Sequence, residues 1–224
     1  MLTAVLLDIT GPVDATKGLI SIFDIFGFVP QTLQGADILA SGNETQTHKV
    51  FMPDWFKGNA VPAEWYPPDT EEKQKKLGEW FGNNDPGKVA AALPAYVKAA
   101  QAANPSIKSW AILGYCWGGK VVELVTSSAA NPFAAAAVAH PAMIDPKGAE
   151  KITVPFALLA SGEDPAEDVK AFESGLNVPH HVETFKDQVH GWMAARADLS
   201  DARQKAEYAR GYQTVLDFFG KHWK

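Results

Sequence analysis

The chain has 224 residues, 46% hydrophobic and 21% charged, the balance of a globular protein with length for one well-buried core. Its formal net charge is −6, and arginine occurs only as Arg196, Arg203 and Arg210, so the basic face on which nucleic-acid binding rests is missing. No stretch approaches the roughly 18 uninterrupted apolar residues of a membrane span, and Met1 to Asp8 lacks the basic flank and small-residue cleavage site of a signal peptide. The expectation is a single cytosolic domain over residues 1–224, with no nucleic-acid or membrane partner. Oligomeric state, monomer or homodimer, stays open.

Short apolar, β-branched runs alternate with longer helical stretches, the pattern of an α/β fold with a mostly parallel sheet and helices on both faces. In chain order, a strand is predicted at Leu19 to Phe23, a helix at Thr32 to Ala40 and a strand at Lys49 to Met52. Residues 50–68 then break the alternation with Pro53, Pro62, Pro67 and Pro68 among Trp55, Phe56, Trp65 and Tyr66. This excursion reads either as a pocket wall or cap or as a rigid surface loop packing its own aromatics. Helices are predicted at Thr70 to Trp80 and Lys88 to Ala102; in the first, Lys73 to Lys76 interleave with acids as a solvated face. A strand at Trp110 to Leu113 precedes a helix at Lys120 to Ser128. Strands at Ala134 to Ala139 and Pro155 to Ala160, a helix at Ala166 to Ser174 and a strand at His181 to Phe185 follow. Ala206, Ala209, Tyr212, Leu216 and Phe219 fall near a 3.6-residue period, so Asp201 to Phe219 is expected to close the fold on the sheet.

Ligands of open parallel sheets bind beyond the carboxyl ends of the strands. The residues just past those ends are Asp24, Cys116, His140, Asp164 and His190. Cys116, the chain's one cysteine, stands in Gly114-Tyr115-Cys116-Trp117-Gly118-Gly119 between a strand and a helix. Gly-x-nucleophile-x-Gly in that setting is a nucleophile elbow, with cysteine in the usual place of serine. A small core cysteine is the bland alternative. A thiol needs a base to attack a carbonyl at neutral pH, and His190, in the turn after the last strand, is the best candidate. Asp164, after the penultimate strand, takes the place of the acid that orients the imidazole. Asp168 and Glu163 compete for that role, and Asp164 could also cap the next helix with Pro165 at its first position. The backbone N–H groups of Ile25 and Trp117 are placed to form an oxyanion hole. Trp192 is expected either to wall an apolar substrate site or to fill the core, and His140 to be a pocket wall or a structural hydrogen bonder. His48, His180, His181 and His222 lack supporting context.

Ile22-Phe23-Asp24-Ile25-Phe26-Gly27, Gly114 to Lys120, Ser161-Gly162-Glu163-Asp164-Pro165 and His190-Gly191-Trp192 together resemble the dienelactone hydrolase family of α/β-hydrolases, in its fungal branch. The resemblance implies a Cys116, Asp164, His190 triad, no metal and no organic cofactor. It also implies hydrolysis of small lactones or carboxylic esters through a thioester. Asp24 matches a glutamate that contacts the resting thiol in bacterial relatives and is one methylene shorter, which makes it the candidate modulator of Cys116. Bacterial relatives hold a substrate carboxylate with arginines; here Arg196 is the only matching guanidinium, so dienelactone need not be the substrate. The chain before Asp24 is shorter than in relatives, with Leu2 to Asp8 expected to give one edge strand. An acyl-transferring or lactone-remodelling enzyme of secondary metabolism and a non-catalytic small-molecule binding protein are the alternatives.

Overall fold

The computed structural model describes residues 7–42 and 47–224. Seven strands form one sheet: β1 Leu7–Thr10, β2 Lys17–Ile22, β3 Lys49–Pro53, β4 Ser109–Tyr115, β5 Ala135–Ala139, β6 Phe156–Ser161 and β7 His180–Phe185. Their order across the sheet is β1-β3-β2-β4-β5-β6-β7. Only β1 runs antiparallel to its neighbour, with Leu7 opposite Pro53 and Thr10 opposite Val50. The remaining pairs are parallel. The edge strand expected from Leu2 to Asp8 begins at Leu7, and residues 1–6 lie outside the described residues.

Among the described residues seven α-helices connect and flank the strands: α1 Pro30–Ser41, α2 Glu71–Asn83, α3 Pro86–Ala103, α4 Trp117–Thr126, α5 Pro146–Ala149, α6 Ala166–Gly175 and α7 Ala202–His222. Local chemistry sets several starts. Thr70, Asp85, Asp145 and Asp201 each accept a hydrogen bond from a first-turn amide, and Pro86 and Pro146 sit where their missing N–H costs nothing. The crossover after β2 steps one way along the sheet, whereas those after β3, β4, β5 and β6 step the other way. Right-handed crossovers therefore put α1 on one face and α3, α4, α5 and α6 on the opposite one. The packing agrees, because α1 meets α7, α3 meets α4, and α5 meets α6. That reversal falls between β2 and β4, which opens a crevice beyond their carboxyl ends.

Strands β4, β5 and β6 are buried throughout apart from Ser109 at the start of β4, as expected for a parallel sheet covered on both faces. The α7 face bearing Tyr208, Tyr212, Val215, Leu216 and Phe219 is buried, which matches the periodicity that predicts a closing helix. Two short elements carry too few residues to generate a period: α5 and the single 3-10 turn Ala63–Trp65 within the proline-rich excursion. No described helix is long and apolar enough to cross a membrane.

Candidate active site

Cys116 lies between the last residue of β4 and the first of α4, at φ 50° and ψ −112°. A non-glycine residue in this region carries strain of about 1–3 kcal/mol and persists only when its surroundings hold it. Here the Cys116 N–H donates to the Ala139 carbonyl at 3.2 Å, and the Cys116 carbonyl accepts from Gly119 at 2.9 Å and Ala142 at 3.0 Å. The flanking glycines are required by close approach. A Cβ on Gly114 would lie 2.2 Å from the Gly118 carbonyl oxygen, and one on Gly118 would lie 2.3 Å from that of Ile22. The helix thus packs backbone to backbone against β2 and β4 and presents a half-buried thiol at its N-terminus.

His190 follows β7 and lies near enough to Cys116 for the thiol to raise its pKa. Its Nδ1 lies 2.7 Å from Asp164 Oδ1. Asp164 Oδ2 accepts the Ser161 N–H at 2.7 Å, so the carboxylate is fixed at both oxygens. Helix α6 starts at Ala166 with Pro165 as its N-cap residue; Asp164 does not cap it, and its side chain turns instead to His190. Burial opposes a charge on His190, but the hydrogen bonds to Asp164 and Cys116 and the charges of both raise its pKa to about 10.

Glu163 acts on the same turn. Its Oε2 accepts the His190 backbone N–H at 2.8 Å and an Nη1 hydrogen of Arg196 at 3.2 Å, while that Nη1 also donates to the His190 carbonyl at 2.6 Å. Foremost the His190 amide, and then Arg196, hold the Glu163 carboxyl below its usual range against a desolvation cost. Gly191, at φ 97°, makes room for this, since a Cβ there would come within 3.0–3.2 Å of the Arg196 side-chain carbons. Glu163 enters the sequence reading only as a competitor of Asp164; its side chain goes to the backbone of His190, not to the ring.

Asp24 is buried, and its oxygens accept from the Phe26 N–H at 2.9 Å and the Ala195 N–H at 3.2 Å. Burial pushes its pKa up to about 6, against the pull of those two amides and of nearby His190. Among the described residues its hydrogen bonds do not include Cys116; the shorter aspartate staples the loop after β2 to the turn region after β7. The amides of Ile25 and Trp117 donate no hydrogen bond among the described residues, and the Ile25 carbonyl accepts from Val61 at 2.8 Å.

A cavity of about 340 Å³ lies beside this group, lined by Phe26, Val29, Val61, Ala63, Tyr66, Ala195 and Arg196. Val61, Ala63 and Tyr66 come from the proline-rich excursion, whose Phe56 ring packs against Phe23, Trp80 and Trp117. Arg196 therefore does line the cavity. Of the alternatives for Trp192 and His140, their burial favours the core over the cavity wall. Trp192 is 1% exposed, packs against Phe185 at 4.2 Å between ring centroids and fills the space over Gly211. His140 is fully buried behind His190, with ring centroids 5.1 Å apart, and burial first and then the charge of His190 lower its pKa well below the ordinary value. Trp117 is likewise a core residue, its Nε1 donating to the Asn84 carbonyl at 2.9 Å. Among the described residues no three His, Cys, Asp or Glu side chains gather as a metal site.

A parallel sheet with a strained turn after β4, an acid after β6 and a histidine after β7 defines the α/β-hydrolase class. Solved structures agree on the fold: a dienelactone hydrolase from Anabaena variabilis superposes with a TM-score of 0.68 at 14% identity, over 99% of this chain and 93% of that one. The chain belongs to the dienelactone hydrolase family, whose model matches residues 4–223. It is 36% identical over 217 residues to an uncharacterized AIM2 family protein of Schizosaccharomyces pombe, covering 94% of this chain and 85% of that protein. It is also 25% identical over 219 residues to the carboxymethylenebutenolidase homolog of Homo sapiens, covering 94% and 84%.

Proposed function

We infer that the protein hydrolyses small lactones or carboxylic esters with Cys116 as nucleophile, His190 as base and acid, and Asp164 as the group that orients His190. The observation that carries this is the strained, half-buried Cys116 on the turn after β4, near an imidazole that Asp164 holds at 2.7 Å. His190, whose pKa the carboxylate of Asp164 and the thiol raise, takes the thiol proton. The thiolate attacks the carbonyl carbon and forms a C–S bond, and the oxyanion rests on the unengaged amides of Ile25 and Trp117. Collapse breaks the C–O bond as His190 protonates the leaving oxygen. Water, deprotonated by His190, then attacks the thioester, and C–S cleavage releases the acid and restores the thiolate. One water is consumed; an ester yields an acid and an alcohol, a lactone one hydroxy acid. No metal or organic cofactor takes part in this scheme. The one thiol suits a reducing cytosolic setting.

The test is steady-state hydrolysis of 4-nitrophenyl acetate. The Cys116→Ala protein should fold as the wild type does and lose activity by about 10³-fold or more. Wild-type turnover by the variant would end this reading.

A further inference from the structure

Among the described residues lining the 340 Å³ cavity, Arg196 is the only charged one. A guanidinium at the edge of an apolar cavity would ordinarily mark a site for a substrate carboxylate. Here its charge is already matched. Arg196 Nη1 is shared between Glu163 Oε2 and the His190 carbonyl, and its Cζ lies 5.3 Å from the centre of the Tyr66 ring. A second carboxylate, Asp24, holds the N–H of Ala195 in the cavity wall. An entering anion thus meets a cation whose charge Glu163 already shares, in front of a buried Asp24, and little net attraction is left to offset the loss of its water. The guanidinium N–H groups at Nε and Nη2 are not engaged by any described residue, and they suit a neutral carbonyl or ether oxygen.

We propose that the part of the substrate seated in this cavity is uncharged, so the enzyme takes neutral lactones or esters, with Arg196 holding the His190 turn through Glu163 instead of pairing with a substrate carboxylate. This rests on the hydrolase reading above and narrows it to a substrate class.

Two esters of matched length test it: 4-nitrophenyl hexanoate and mono(4-nitrophenyl) adipate, which differ in a terminal methyl or carboxylate. Wild-type kcat/KM should favour the hexanoate by about tenfold or more, and Glu163→Gln, which leaves Arg196 without its counter-charge, should narrow the ratio by about fivefold. Equal rates, or a preference for the adipate that Arg196→Met abolishes, would overturn the proposal. A second arm needs no turnover: protection of Cys116 from iodoacetamide in the wild-type protein, read by mass spectrometry. Hexanamide should slow alkylation at a concentration where hexanoate ion does not; equal protection, stronger protection by the anion, or none from either would overturn the assignment. If Cys116→Ala cleaved both esters like the wild type, the hydrolase mechanism would fall while the protection arm still decided the charge preference.

Discussion

The turns after β5 and β7 each carry a histidine, His140 and His190, whose rings meet edge to face 5.1 Å apart, yet their chemistry is opposite. His140 is fully buried, and its ring nitrogens make no side-chain hydrogen bond among the described residues. His190 keeps a quarter of its side chain exposed and bonds Asp164 at 2.7 Å. Burial disfavours the imidazolium at both positions; a carboxylate and a thiol reverse the outcome at one of them. Following a strand at the carboxyl edge of the sheet is therefore not enough to raise an imidazole's pKa. What decides is the acid delivered by the neighbouring strand.

The sharpest way to break this contrast is His190→Ala, which should lower kcat/KM for 4-nitrophenyl acetate by about 10³-fold or more and slow alkylation of Cys116 at neutral pH. Asp164→Asn comes next, with an expected loss of about 10²–10³-fold. It should also move the alkaline limb. Under the proposed mechanism a protonated His190 releases the alcohol, so wild-type activity should fall as pH rises through about 10, and the variant should decline at lower pH. An unmoved limb would separate Asp164 from the titration of His190.

Asp24 extends the comparison to a carboxylate buried without a hydrogen-bonded base. Its folded pKa of about 6 lies above the ordinary 3.8, so its contribution to stability is fully present below 3.8 and lost as pH rises through 6. The cost above that range is on the order of 3 kcal/mol. Denaturant melts between pH 4 and 7 should show wild type gaining stability toward acid by more than Asp24→Asn does; parallel curves would contradict this assignment. The smallest effect belongs to His140→Phe, expected to keep kcat/KM within about threefold, because an apolar ring replaces unpartnered polar atoms. A hundredfold loss would give His140 a chemical role.

The strands after β1 and all the longer helices were legible because each carries either a run of apolar residues or a 3.6-residue period. Gly114, Cys116 and Gly118 were legible as Gly-x-nucleophile-x-Gly between a strand and a helix, and the structure supplies the reason: a Cβ on Gly118 would meet the Ile22 carbonyl. Asp164 and His190 followed from their places after β6 and β7. The path of the Glu163 side chain was not legible, since it depends on the turn that brings His190 back over residues 161–164. Trp192 and His140 were left between wall and core because adjacency to a strand end says nothing of which way a ring turns. Asp24 likewise sits where the family pattern puts it, but one methylene fewer leaves its oxygens on the amides of Phe26 and Ala195.

The most direct measurement is intact-protein and peptide mass spectrometry after rapid acid quench of the wild-type enzyme with excess 4-nitrophenyl hexanoate. A hexanoyl group on the Cys116 peptide, formed as fast as turnover and accumulating in His190→Ala only slowly, is the predicted result. Steady turnover with Cys116 unmodified, or an acyl group on another residue, would contradict a cysteine nucleophile at this turn.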